Sequence, residues 1–261
     1  MKLLFSKYQG TGNDFIMVLE RSNPTFKPSA ALISQLCDRR FGIGADGLII
    51  IKMHEKLDFE VDYYNADGTQ SFCGNGARCA VQFSRDHELI DHSCEFMAID
   101  GEHQASFAEN GDVKLRMSPV FDIEQITDDE QAFVLDTGSP HYVKFYENKC
   151  SDIVAFGQSI RYNKRFSEKG INVNAAYVED DAIYVETYER GVENETYSCG
   201  TGVTAVALAS AAQQETISGI TPIRTKGGTL RIHWQKTSNG TFDEIYLEGP
   251  AKKVYDGQID I

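Results

Sequence analysis

Cys73-Gly74-Asn75-Gly76-Ala77-Arg78-Cys79-Ala80-Val81 and Cys199-Gly200-Thr201-Gly202-Val203-Thr204-Ala205-Val206-Ala207 share one pattern, Cys-Gly-x-Gly running into an apolar stretch. They lie 126 positions apart in a chain of 261 residues. The glycines let backbone N–H groups converge at a helix start, where unpaired donors and the helix dipole favour an anion. The same field lowers a thiol's pKa from about 8.5 toward neutrality. One such motif can hold a thiolate and bind a carboxylate.

The repeat extends outward from the cysteines. Phe15 matches Tyr142, Tyr63 matches Tyr188, and Gly101 matches Gly227. Asn110-Gly111 and Asn239-Gly240 both read as hairpin turns. These matches keep their order at a nearly constant offset, which predicts a duplicated domain. Runs rich in Val, Ile, Tyr and Phe, bounded by Gly, Asn and Asp, read as strands. In the first half they are 3–9, 14–19, 48–52, 59–64, 103–107 and 113–117. In the second they are 133–136, 142–145, 182–188, 230–234 and 245–248. Helices are predicted over 29–40, with Ser29 as cap, and over 77–88 and 203–213. The last is apolar nearly all round, so it must be buried on most sides. A strand-rich barrel or half-barrel around one helix, built twice, satisfies that.

Composition bounds the function. The formal charge of −14 argues against nucleic acid, which needs a basic face. No stretch approaches the roughly 20 apolar residues of a membrane helix, and Met1–Lys7 is too short for a signal-peptide core. A cytoplasmic protein with reduced cysteines is expected. The six cysteines form no Cys-x-x-Cys pair and have no neighbouring histidine at zinc spacing, so no metal is expected. Cys37, Cys79, Cys94 and Cys150 read as small buried hydrophobes. Duplicated context sets Cys73 and Cys199 apart. Two thiols, one per domain, converging on a cleft, describe stereoinversion: one removes a proton from a carbon and the other returns a proton to the opposite face.

The flanking segments resemble the diaminopimelate epimerase family. They are Gly10-Thr11-Gly12-Asn13-Asp14-Phe15, Arg40-Phe41-Gly42-Ile43-Gly44-Ala45-Asp46-Gly47 and Tyr64-Asn65-Ala66-Asp67-Gly68. They continue through the first cysteine motif to Gly138-Ser139-Pro140-His141, Gly170-Ile171-Asn172-Val173-Asn174 and Tyr188-Glu189-Arg190-Gly191, ending at the second cysteine motif. The resemblance covers nearly the whole chain. It implies an α/β (α+β) fold of two pseudo-symmetric domains, each a mixed β-barrel around a central helix. The domains expected are 1–117, completed by 250–261, and 118–249.

The resemblance further implies a cofactor-independent epimerase that interconverts LL- and meso-diaminopimelate for lysine and cell-wall synthesis. It needs no pyridoxal phosphate and works as a homodimer on a small-molecule substrate. By the same carry-over Cys73 and Cys199 are the acid/base pair, and His141 and Glu189 influence their protonation. Amides around Gly74, Asn75, Gly200 and Thr201 hold the reacting carboxylate and stabilise its developing charge. Asn13 and Glu189 meet the reacting amino group. Arg190 grips the distant carboxylate, with Asn65 and Asn172 adding hydrogen bonds. Taken singly, the asparagines read equally as turn residues, Arg190 as a surface charge and His141 as a structural histidine. Two positions depart from a common family pattern: Gly47 stands where some members carry Gln, and Ser139 where many carry Asn. The alternative reading is a racemase of the same fold acting on another amino acid.

Overall fold

A computed structural model describes residues 1–261. The chain divides into two compact units, Met1–Leu115 with Gly249–Ile261, and Arg116–Glu248.

The first unit contains β1 (Lys2–Gly10), β2 (Asn13–Leu19), α1 (Ala30–Cys37), β3 (Gly47–Lys52), β4 (Phe59–Asn65) and α2 (Gly74–Asp86). It continues with β5 (Ser93–Ala98), β6 (Gly101–Phe107) and β7 (Val113–Met117), whose end passes the unit boundary. β2 and β3 pair in parallel, as do β4 and β5, while β1–β2, β3–β4, β5–β6 and β6–β7 are antiparallel. The run Leu48-Ile49-Ile50-Ile51 in β3 is apolar at every position because both of its faces are buried. Leu48 and Ile50 join Ile16, Val18, Ile33 and Leu36 in a cluster beneath α1. Ile49 and Phe15 point the other way, onto Gly76 at the start of α2.

The second unit repeats the plan with β8 (Ile123–Ile126), β9 (Asp129–Asp136), β10 (Pro140–Tyr146), α3 (Ile153–Arg161), β11 (Asn172–Glu179) and β12 (Ala182–Glu189). After the short β13 (Asn194–Thr196) come α4 (Gly200–Ala212), β14 (Ser218–Thr225), β15 (Gly228–Gln235) and β16 (Ile245–Gly249). β10–β11 and β12–β14 are parallel; β8–β9, β9–β10, β11–β12, β14–β15 and β15–β16 are antiparallel. The last strand, β17 (Lys252–Asp260), returns to pair antiparallel with β1, as β8 pairs with β9. Eight strands in each unit therefore follow one sequence of parallel and antiparallel steps. The same connections carry a helix in both: α1 and α3 in one place, α2 and α4 in the other.

Several sequence expectations shift. α1 ends at Cys37 rather than Arg40, because Asp38 caps the turn and its side chain accepts the Arg40 and Phe41 amides. α2 and α4 begin at Gly74 and Gly200, so both glycines of each motif lie inside the first helical turn. The turn partner of Gly101 is Gly228, not Gly227: both open a strand with positive φ, 128° and 141°. α3, β5, β8, β11, β13, β14 and β17 were not among the predicted elements. α4 is buried along nearly its whole length, including Val203, Val206 and Leu208. Each such side chain contributes about 1.5–3 kcal/mol on leaving water. No helix is long and apolar enough to cross a membrane.

Candidate active site

Both motif cysteines occupy the N-cap of a helix. Cys73 has extended backbone, φ −133° and ψ 113°, and Cys199 nearly the same, φ −116° and ψ 113°. A helix start leaves its first N–H groups outside the i→i−4 ladder and carries the positive end of the dipole. Each sulfur sits at that end. The surroundings of the two differ.

In the first unit Cys73 is half-buried. Its Sγ accepts from the Gly76 N–H at 3.5 Å and lies 3.5 Å from Asn13 Oδ1. Asn75 Nδ2 donates to the same Asn13 oxygen at 3.4 Å, and Asn13 Nδ2 donates to Asp46 at 2.5 Å. Behind them Arg78, wholly buried, donates to Asn75 Oδ1 at 2.9 Å and to Thr11 Oγ1 at 3.1 Å. Arg78 and Asp46 thus fix which way the two amides face. Asp46 and Asp14 share Arg39, and Asp14 also pairs with Lys7 at 2.8 Å. Burial raises the Asp14 carboxyl, but Arg39 and Lys7 outweigh it and hold the group down to about 2.

Asn65 stands apart from this cluster. It bonds Tyr63, Thr69 and Ser71 in the turn after β4. Gly47, opposite Asn65 in the β3–β4 ladder, has no room for a side chain. A Cβ there would lie 2.5 Å from Tyr63 Cε2 and 2.6 Å from the Tyr64 carbonyl. The Tyr63 ring occupies the space a longer residue would need.

In the second unit Cys199 is buried, and its Sγ lies 3.4 Å from Thr201 Oγ1. His141 Nε2 is 2.9 Å from the same hydroxyl. Thr137 Oγ1 donates to the Thr201 carbonyl at 2.9 Å and anchors the turn. His141 is wholly buried; burial, together with the Arg190 cation, pushes its imidazole down to about 3. Its other nitrogen, Nδ1, is 3.1 Å from Asn174 Nδ2. Gly202 belongs to this packing, since a Cβ would fall 2.5 Å from Asn174 Oδ1.

Asn172 and Arg190 form a second group in this unit. Asn172 Oδ1 accepts the Arg190 amide at 2.9 Å, and its Nδ2 donates to Ser139 Oγ at 2.8 Å and to the Pro140 carbonyl at 3.2 Å. Serine at 139 therefore still supplies an oxygen to this asparagine. Arg190 is exposed, with Nη1 on the Lys169 carbonyl at 3.0 Å. Glu189 ends β12, half-buried, two residues along from Thr187 and so on the same face.

The structure thus joins Asn13, Asn75 and Cys73 in one cluster, Cys199, Thr201 and His141 in another, and Asn172 with Arg190 in a third. Sequence reasoning missed Arg78, Thr11, Asn174 and Thr187. Asn174 carried a signal, since it follows Asn172 at strand period and must share its face. Of the remaining cysteines, Cys37, Cys79 and Cys94 are buried as expected, whereas Cys150 is only half-buried. Burial pushes the Cys37 thiol up to about 11 and the Cys94 thiol up to about 12, and raises that of Cys79 as well. In all three, burial is the largest influence on the thiol.

The fold is that of a group of solved structures sharing this architecture at low identity. A phenazine biosynthesis protein of the PhzF family from Bacillus anthracis superposes with a TM-score of 0.77 at 12% identity, covering 100% of both chains. A probable proline racemase from Agrobacterium radiobacter superposes with a TM-score of 0.72 at 13% identity, over 99% of this chain and 93% of that one. Sequence narrows the class. The sequence model of the family described as diaminopimelate epimerase matches residues 5–121 and 133–254. The diaminopimelate epimerase of Flavobacterium psychrophilum is 43% identical over 256 residues, spanning 97% of this chain and 98% of that protein. The one from Chlorobaculum tepidum is 39% identical, spanning 97% and 99%. The chain belongs to the diaminopimelate epimerase family.

Proposed function

We propose that this protein interconverts LL- and meso-diaminopimelate by a two-base mechanism, with Cys73 and Cys199 as the acid/base pair. The supporting observation is that topologically equivalent helices, α2 and α4, each have a cysteine at the N-cap position with nearly identical backbone angles. Family membership supplies the substrate. One cysteine, as thiolate, removes the α-proton; the other, as thiol, delivers a proton to the opposite face. Negative charge spreads into the α-carboxylate, and the helix-start amides around Gly74, Asn75, Gly200 and Thr201 stabilise it there. Asn13 and Glu189 receive the reacting amino group, whose positive charge makes the adjacent C–H more acidic. Arg190 takes the distal carboxylate as a bidentate pair; Asn172, which already holds the Arg190 backbone, and Asn65 add hydrogen bonds to the substrate. Two working thiols call for a reducing compartment, which favours the cytoplasm. The same reading has the two units as copies of one epimerase domain and the enzyme as a homodimer acting without pyridoxal phosphate.

Proton exchange at the α-carbon in heavy water tests the substrate. LL- and meso-diaminopimelate should exchange faster than proline or histidine; faster exchange with either of the latter would move the assignment to another amino acid. Cys73→Ala and Cys199→Ala should each abolish inversion. Near-normal turnover in either would refute the two-base step. Sedimentation at micromolar concentration gives the oligomeric state.

A further inference from the structure

The hydrogen bonds around Cys199 have a fixed direction, set at the end farthest from the sulfur. Asn174 Nδ2 lies 3.0 Å from the Tyr142 carbonyl oxygen, which can only accept. Thr187 Oγ1 lies 2.9 Å from Asn174 Oδ1. Flipping the Asn174 amide would set two carbonyl oxygens against each other, so its NH2 faces both Tyr142 and His141. The nitrogen it meets, His141 Nδ1, must then offer a lone pair. A neutral imidazole holds one proton, which is therefore on Nε2, 2.9 Å from Thr201 Oγ1. A hydroxyl that accepts there turns its own hydrogen elsewhere, and the Cys199 sulfur is 3.4 Å away. Asn174, Tyr142, Thr187 and His141 are all buried, so no solvent competes for the bonds among them; Thr201, beyond them, is half-buried.

We infer that Asn174 is a positioning residue for Cys199: it holds His141 as an Nε2–H donor, and Thr201 passes that polarity on as an O–H···S hydrogen bond. The inference rests on Cys199 being one of the two acid/base groups. His141 then neither takes nor gives a proton. It acts through Thr201, which is presented as a donor whenever the sulfur is a thiolate. Hydrogen bonding to a charged form favours that form. Other ionisable groups on the strands packed around α4 act alongside the relay. Glu189, on the same face of β12 as Thr187, opposes a second negative charge. Arg190 favours a thiolate and opposes a proton on His141. Asp136, at the exposed end of β9, is turned onto the Gly138 amide. In the first unit Cys73 faces Asn13 Oδ1, an acceptor, and the Gly76 N–H.

Iodoacetamide alkylation of the substrate-free enzyme, read at each cysteine by mass spectrometry across pH, tests the relay without turnover. Thr201→Val and Asn174→Leu should raise the midpoint of the Cys199 rate profile by about one pH unit, roughly tenfold slower alkylation below both midpoints, the size expected for one hydrogen bond to a charged group. Thr201→Ser should restore it, and the Cys73 midpoint should stay in place throughout. An unmoved Cys199 midpoint in Thr201→Val overturns the inference. Nitrogen-15 NMR of the unmodified enzyme, with the signal assigned by its loss in His141→Gln, should show the proton on Nε2. A proton on Nδ1 overturns it whether or not the variants fold. A failed diaminopimelate exchange assay would instead count against the epimerase reading and leave these results standing.

Discussion

At the scale of single residues, burial sets His141 apart from the other five histidines. His141 is held neutral by burial, reinforced by the Arg190 cation. Its folded pKa of about 3 lies below the ordinary value of 6.5. Sign follows from linkage: the unfolded chain binds the proton more readily, so His141 contributes stability in full above pH 6.5. That contribution falls as pH drops toward 3, by up to about 1.4 kcal/mol per pH unit. His87, also pushed down by burial, acts in the same direction, so a comparison with a variant is needed. Between pH 6.5 and 4.5 the wild type should lose about 2–3 kcal/mol more in urea unfolding than His141→Gln. Equal slopes would mean that the imidazole is already protonated in the fold. Asp14 has the opposite fate because it keeps two cations. Its contribution is present above the ordinary carboxylate pKa and is lost only as pH falls toward 2, below the window used for His141.

At the scale of elements, helix starts are set by caps of unequal quality. Asp152 accepts both the Val154 and Ala155 amides, at 3.0 and 2.9 Å, whereas Ser29 accepts only Leu32, at 3.3 Å. Asp152→Ala should therefore cost about 1–2 kcal/mol and Ser29→Ala about 0.5–1 kcal/mol in urea unfolding; the reverse order would contradict the geometry. Legibility in the sequence follows the same local logic. Val/Ile-rich β2, β3 and β12 were readable because both or alternate faces are apolar. β11 was not, since Asn172, Asn174, Ala175 and Ala176 trade apolar bulk for site chemistry and close packing. α3 was hidden by Gly157, which looks like a breaker but stands where a Cβ would be 2.3 Å from the Tyr188 ring. β14 contains Gly219 and Pro222, and its parallel pairing with β12 spans only two residue pairs. The proposed site was legible where it is written as a repeat, the two helix starts at Cys73 and Cys199. Arg78 and Thr187 were not, because their roles come from strands and helices meeting, which no local pattern records.

At the scale of the whole molecule, the second half carries the material that finishes the first. β9 in the second unit gets its antiparallel partner from the strand just before it, β8. β1 gets its partner from β17, about 250 residues later in the chain. The β1–β17 ladder runs from Lys2↔Asp260 to Gln9↔Lys252, with one irregularity at Lys7/Tyr8. Most of β17 faces solvent, so few apolar contacts hold it, and its own sequence did not announce a strand. Its contribution is to satisfy the open edge of β1, a largely buried strand whose unpaired backbone groups would otherwise be free to recruit another chain. It also ties Asp256 to Ser6 at 2.6 Å. Removing Lys252–Ile261 should therefore leave the second unit's amides protected in hydrogen exchange while protection falls in β1 and in α2, which packs on β1 and β17. Because α2 presents Cys73, alkylation of Cys73 should lose its pH midpoint in the truncated chain while that of Cys199 keeps its own. The truncated protein should also associate through the exposed β1 edge, read as a mass increase in light scattering. Unchanged β1 protection after truncation would show that β17 is a cover on the sheet rather than part of what folds it.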